Sequence, residues 1–240
     1  MKVVIIQPAY APWLGYLAQM AEADVFVCLD DVQFNRKYWQ SRNRIISRTG
    51  EVEYIEVKTK KSHLATLIKD ILIADDYDQN LFIEKIRRLY SGLEGVDYVF
   101  EHIVPIYTEF YKQGCLLAES NFKQLLHIKE LLGFNCTILK ASDMQLNESR
   151  TATQRLLNIC KELGAKKYLA TLGARTYMEQ ELNIFPENNI QVLWQSFQHQ
   201  NYLKNQDKRF VSHLSYVDFL IHNDCKSLPS YLSKCNSYLF

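Results

Sequence analysis

Residues 3–31 read VVIIQPAYAPWLGYLAQMAEADVFVCLDD, and this stretch decides the architecture. Val3 to Ile6 is a short, β-branched apolar run that stops at Gln7-Pro8, as a strand buried on both faces does. Leu14, Leu17, Ala18 and Ala21 recur at helical spacing and predict a helix over Leu14 to Ala21. Val25 to Leu29 is a second apolar run, closed by Asp30-Asp31. Strand, loop, helix and strand within about thirty residues make a βαβ unit with a right-handed crossover. In open α/β sheets a ligand sits beyond the carboxyl ends of such strands. Two segments, Gln7–Tyr16 and Asp30–Arg44, are therefore expected to face a site.

The same alternation continues outward. Ile45 to Val57 splits at Arg48-Thr49-Gly50 into a hairpin. Residues 80–132 read as mainly helical, and Thr137 to Leu139 as a strand. Thr151 to Leu163 is an amphipathic helix stopped by Gly164. Lys167 to Ala170 is a strand that enters a second loop at Gly173. Ile190 to Trp194 is another strand, and Leu214 to His222 a late helix. Together these predict one α/β domain over residues 1–240: a parallel, doubly wound, Rossmann-like sheet with a helical insertion.

The composition bounds the function. Lys+Arg (28) and Asp+Glu (27) nearly cancel, leaving a formal charge of +1. That argues against a dedicated nucleic-acid binder, which carries a basic excess. The chain opens with four apolar residues before Gln7-Pro8, too few for a signal peptide, and no apolar run approaches the ~20 residues of a membrane helix. Cys28, Cys115, Cys136, Cys160, Cys225 and Cys235 show no C-x-x-C spacing and no paired histidines that would complete a zinc site. They read as small hydrophobes suited to a reducing compartment. A cytoplasmic protein with no membrane partner is the expectation. The aromatic-rich tail LPSYLSKCNSYLF is a surface that would suit a partner chain in a homodimer.

Four groups of residues are candidates for chemistry. The first loop, Gln7-Pro8-Ala9-Tyr10-Ala11-Pro12-Trp13-Leu14-Gly15-Tyr16, leaves a strand and enters a helix, where backbone N–H groups and the helix dipole suit phosphate. Gly15 would let a phosphate or adenine approach the backbone, while Trp13 and Tyr16 equally suit capping the core. In the second, Asp30 and Asp31 end a strand, where they suit Mg²⁺ or a substrate amine. Gln33, Asn35, Arg36, Lys37, Trp39, Arg42, Asn43 and Arg44 follow, with cations suited to a polyphosphate or a leaving pyrophosphate. A merely solvated charge run is the competing reading. The third group holds Thr171, Gly173, Arg175 and Tyr177 at the same sheet edge. The fourth holds His199 and Tyr202, then Ser215 and Asp218; His199 is either a general base or a structural histidine.

These groups, in this order, resemble the WbqC-like family over essentially the whole chain. The matching segments are IIQPAYAPWLGY (5–16), ADVFVCLDDVQF (23–34) with WQSRNRI (39–45), YLATLGARTYM (168–178), and FQHQNY (197–202) with LSYVDFL (214–220). The resemblance implies a protein of surface-polysaccharide gene clusters, proposed to place an acyl or aminoacyl group, glycine included, on an amino sugar. The implied partners are a dTDP- or UDP-linked sugar and a small acyl or amino-acid donor. Trp13-Leu14-Gly15-Tyr16 also resembles, more distantly, the H-x-G-H element of nucleotidylyltransferases and pantothenate synthetases, with Trp13 and Tyr16 in place of both histidines. That likeness implies ATP as cofactor, accompanied by Mg²⁺, and pyrophosphate leaving against Arg36, Lys37, Arg42 and Arg44. Asp30, Asp31 or His199 would then accept the amine's proton. Two alternatives stay open: an N-acyltransferase fed by a carrier or thioester, and a non-catalytic nucleotide-sugar binding protein.

Overall fold

The computed structural model describes residues 1–203 and 210–239. Strands β1 (Lys2–Ile6) and β2 (Val25–Cys28) are joined by helix α1 (Leu14–Glu22). They pair in parallel, with Val3 opposite Val25 and Ile6 opposite Cys28. β5 (Thr137–Lys140) extends the sheet on the far side of β2, and β6 (Lys167–Ala170) pairs with the other edge of β1. β7 (Gln191–Phe197) follows β6 in parallel, and β8 (Asn236–Leu239) closes the edge antiparallel. The six-stranded order is β5-β2-β1-β6-β7-β8. The chain leaves β1 in one direction, to β2 and β5, and later crosses to β6 and β7 in the other, so the order reverses between β1 and β6. This is the Rossmann-like α/β sheet that the opening residues predict.

Alternation along β1 explains why both faces are covered. Val3 and Ile5 pack on one side with Ile159 and Cys160 of α6 (Ala152–Glu162), Met178 of α7 (Leu172–Met178) and Phe185 of α8 (Ile184–Glu187). Val4 and Phe26 point the other way, into a larger core with Leu17 and Met20 of α1 and Leu125 and Ile128 of α5 (Leu117–Leu132). That core also takes in the helices α2 (Asn80–Tyr90), α3 (Gly95–His102) and α4 (Val104–Phe110), the helical region expected around 80–132. With successive strand side chains pointing to opposite faces, every residue of β1 except its ends is buried.

Three boundaries differ from the sequence reading. The hairpin is β3 (Arg42–Ile46) and β4 (Val52–Glu56), so the first strand begins three residues before Ile45. Arg42 stands opposite Glu56 and lays its guanidinium over the Tyr54 ring, and this cross-strand pairing extends a strand that hydrophobicity alone does not mark. Gly173 lies inside α7 rather than in a loop: β6 passes directly through Thr171 into the helix. The tail forms helix α10 (Leu228–Cys235) and then β8, whose sheet partner is β7 of the same chain, with Trp194 opposite Leu239. Tyr231 and Tyr238 of the tail are thus partly covered by the chain's own core. The late helix α9 (Tyr216–His222) lies where expected.

Candidate functional site

The loop between β1 and α1 is held from behind by buried amides. Gln124 of α5 accepts from the Ala11 N–H at 3.1 Å and donates to the Ala9 carbonyl at 3.1 Å. Asn121, one turn earlier, donates to the carbonyls of Pro8 (3.3 Å) and Gln40 (2.8 Å) and accepts from the Tyr111 hydroxyl at 2.8 Å. Asn43 donates to the Ala11 carbonyl at 2.7 Å. The Tyr10 N–H donates to the Trp39 carbonyl, which ties the loop to the segment after β2. Ala11 takes a left-handed backbone, φ 43, a conformation that a non-glycine residue holds only when its surroundings fix it. The loop is preorganised.

In front of it opens a cavity of about 1270 Å³. Its wall includes Ile5, Ile6 and Gln7 from the end of β1 and Tyr168 and Thr171 from β6 and its exit. It therefore lies at the carboxyl ends of the two strands between which the order reverses, the place where doubly wound sheets bind ligands. Of the predicted residues, Gln7, Pro8, Trp13 and Tyr16 line it from the first loop. Gln33, Asn35, Arg36, Trp39 and Asn43 line it from the second segment, and Thr171, Gly173 and Tyr177 from the third. Arg36 is steadied by donating to the Ser62 carbonyl at 3.0 Å, and Gln33 to that of Leu64 at 2.6 Å. Arg44 also lines the wall; its guanidinium lies 5.5 Å from the Trp39 ring and donates to the Ser212 carbonyl.

The other candidates lie elsewhere. Tyr10 is buried edge-on against Tyr107 and Tyr111, with ring centroids 5.4 and 5.1 Å away. Gly15 is covered by its neighbour: a Cβ there would fall 2.0 Å from the Trp13 ring, so its missing side chain makes room for the indole. Lys37 is exposed at a left-handed turn, φ 63. Arg42 stacks on Tyr54, and Arg175 lies 6.0 Å from the Trp194 ring. Tyr202 is buried and donates to Asp218 at 2.6 Å. Asp30 accepts from the Ser142 N–H (2.9 Å) and hydroxyl (2.6 Å), and Asp31 is ion-paired with Arg155 of α6. Asp30 thus ties the end of β2 to the segment after its neighbour β5, and Asp31 ties it to α6.

His199 stands just behind the wall, its ring 5.5 Å from Trp13, 4.8 Å from Phe197 and 4.5 Å from His213. Burial, then the neighbouring His213, lowers its pKa to about 4, so the ring is neutral at pH 7. His213 is the histidine of this group that lines the cavity. It was not anticipated, and neither were Ser62, His63 and Leu64 of the loop after β4, which form another part of the wall. No local pattern marks either: both reach the cavity from elements remote in sequence.

Among the described residues that line the cavity there is no Asp or Glu, and no cluster of His, Cys, Asp or Glu suited to a metal. The donor set fits Mg²⁺ poorly, since that ion takes hard carboxylate oxygens and both nearby carboxylates are already engaged. It suits anions well: two guanidinium groups, several amides and the edges of aromatic rings. Among the described residues no helix is long and apolar enough to cross a membrane. The cysteines are free, and four of the six are buried.

No solved structure matches this chain. The uncharacterized protein Rv1507c of Mycobacterium tuberculosis strain H37Rv is 28% identical over 235 residues, spanning 98% of each chain. The model of the WbqC-like protein family matches residues 7–229, from the end of β1 into α10 and across every wall of the cavity except the last residues of β1 itself. The chain belongs to the WbqC-like protein family.

Proposed function

We propose that the cavity binds a nucleotide-linked amino sugar and that the protein transfers an acyl or aminoacyl group, glycine being one candidate, onto the sugar's amine. The observation that carries this reading is the cavity at the strand-order reversal, lined by Arg36 and Arg44 and, among the described residues, by no carboxylate. Ligand clefts commonly measure about 300–1,000 Å³, and at about 1270 Å³ this one has room for a donor beside the acceptor. Trp13, Tyr38, Trp39 and Tyr177 offer aromatic surface for base or sugar, and the guanidinium groups suit the diphosphate of a dTDP- or UDP-linked sugar. The pathway in view is surface-polysaccharide synthesis.

The donor is activated in one of two ways. With ATP it becomes an adenylate and releases pyrophosphate against the cationic wall. Alternatively it arrives as a thioester or on another carrier. The Trp13 ring over Gly15 favours the second, because it occupies the approach that an adenine or phosphate would use. Calorimetry and thermal shift with ATP, UDP-glucosamine and a dTDP-linked amino sugar test the site. A ligand at ~100 times its Kd stabilises by ~2.7 kcal/mol, and Arg36→Ala or Arg44→Ala should weaken the nucleotide sugar. If no nucleotide or nucleotide sugar shifts the melting temperature, the reading fails. Amide product from a glycyl thioester without ATP selects the carrier-fed form; pyrophosphate release with glycine selects the adenylate form.

A further inference from the structure

Among the described residues that line the cavity, the histidines are His63 and His213. Both are exposed, His63 on the loop after β4 and His213 ahead of α9. The His213 ring nonetheless packs against other aromatic rings. The backbone of His213 is left-handed, φ 60. Its ring lies 4.7 Å from Trp13 on the cavity side of the first loop and 4.5 Å from His199. Its Nδ1 is 2.9 Å from the Ser212 hydroxyl, and the Ser212 carbonyl is in turn held by Arg44 at 3.3 Å. The next residues are fixed as well: Ser215 donates its N–H to the Arg44 carbonyl, and Tyr216 to that of Pro12.

The geometry points to His213 as the group that takes the proton from the attacking amine, with His199 behind it as a positioning residue. This rests on the transfer reading above. In the tautomer that this role requires, Nδ1–H donates to the Ser212 hydroxyl, which puts the lone pair on Nε2. The amine nitrogen forms a bond to the donor's carbonyl carbon. The bond from that carbon to the adenylate phosphate oxygen, or to the thioester sulfur, breaks, and its electron pair leaves with that atom. The amine's proton passes to His213 Nε2 and from there to the leaving group or to water. Burial, then the charge of Arg44, holds His213 below its ordinary pKa and keeps it able to accept a proton at pH 7. Arg44 of β3 and His199 after β7 are the charged and titratable groups that face its ring among the described residues; Trp13 and Ser212 complete its surroundings.

The test uses the full chain with UDP-glucosamine or a dTDP-linked amino sugar as acceptor and either glycine with ATP or a glycyl thioester as donor. Binding is read by calorimetry, and transfer as a rate between pH 5 and 8. H213Q is expected to bind the acceptor within about twofold of the unaltered chain and to lose about 10²–10⁴-fold in kcat. The unaltered chain should lose rate on the acid side, and the residual rate of H213Q should be flat there. H199Q should move that acid limb upward in pH without raising KM, because a looser, wetter His213 ring regains its ordinary basicity. If the unaltered chain transfers and H213Q matches it within threefold, or keeps the same acid limb, the assignment to His213 falls and the transfer reading stands. If the unaltered chain binds or transfers nothing with either donor, the transfer reading falls and takes His213 with it.

Discussion

The two sides of the β1–α1 loop treat their polar groups in opposite ways. Behind it, Asn43, Asn121 and Gln124 each hold backbone carbonyls or N–H groups of residues 8–11. Nearby, Asp218 of α9 accepts from the Ile46 N–H and from the hydroxyls of Tyr90 and Tyr202. In front, on the cavity side, Gln40 donates to Gln7 yet its side-chain Oε1 has no partner, and neither have the Arg44 Nε and, just behind the wall, the His199 Nε2. A buried polar atom without a partner costs free energy, and native structures keep few of them. The amides behind the loop are spent on holding its shape, whereas the amide and guanidinium beside the cavity keep unfilled positions. Unfilled buried atoms are not confined to that side, for the hydroxyls of Tyr10, Tyr77, Tyr107 and Tyr216 in the core behind the loop have no partner either.

The largest effect should come from the filled side. Asp218→Ala leaves two tyrosine hydroxyls and one backbone N–H buried without an acceptor, and should cost about 3–5 kcal/mol in chemical denaturation. A loss below about 1 kcal/mol would mean that water or a neighbour takes over and that the scaffold reading of this cluster is mistaken. Asn121→Ala strands the Pro8 and Gln40 carbonyls and should cost about 1–3 kcal/mol. Because it frees the loop, it should also weaken nucleotide-sugar binding, and unchanged binding would separate the amide girdle from the site.

On the open side the order of effects reverses. Arg36→Ala should leave stability within about 0.5 kcal/mol, as surface changes usually do. It should weaken the diphosphate-bearing ligand about tenfold, about 1.4 kcal/mol in binding, measured by calorimetry at fixed salt. Equal affinity in variant and parent would detach the cation from the ligand. The smallest effect is a pH dependence. His199, with its pKa lowered to about 4 by burial and then by His213, binds fewer protons when folded than when unfolded. Its contribution to stability is complete above the unfolded value near 6.5, fades as pH falls from there towards about 4, and changes no further below that. Melting temperatures across pH 4–7 should show a slope that flattens in His199→Gln; an identical slope would place the titration elsewhere.

Much of this was legible in the chain itself. The runs at Val3–Ile6, Val25–Leu29 and Lys167–Ala170 sit where strands lie, because a strand buried on both faces must be apolar throughout. The glycines show two different situations. Gly15 makes room for the Trp13 ring, whereas Gly173 lies inside α7 and lines the cavity with open space where a side chain would stand, and no local pattern tells the two apart. The acids Asp30 and Asp31 read as site residues because they end a strand. Their actual partners, Ser142 and Arg155, lie more than a hundred residues away, and no local pattern encodes that pairing.

Hydrophobic period and strand-end position are local properties, so the parallel sheet, the helical insertion and the two segments that frame the cavity can be read along the chain. It takes the folded chain to put His213 rather than His199 on the wall, to close one side with the loop after β4, and to pair the tail with β7. Those outcomes depend on contacts between residues far apart in the chain. A side chain's neighbours, unlike its period, exist only once the chain has folded.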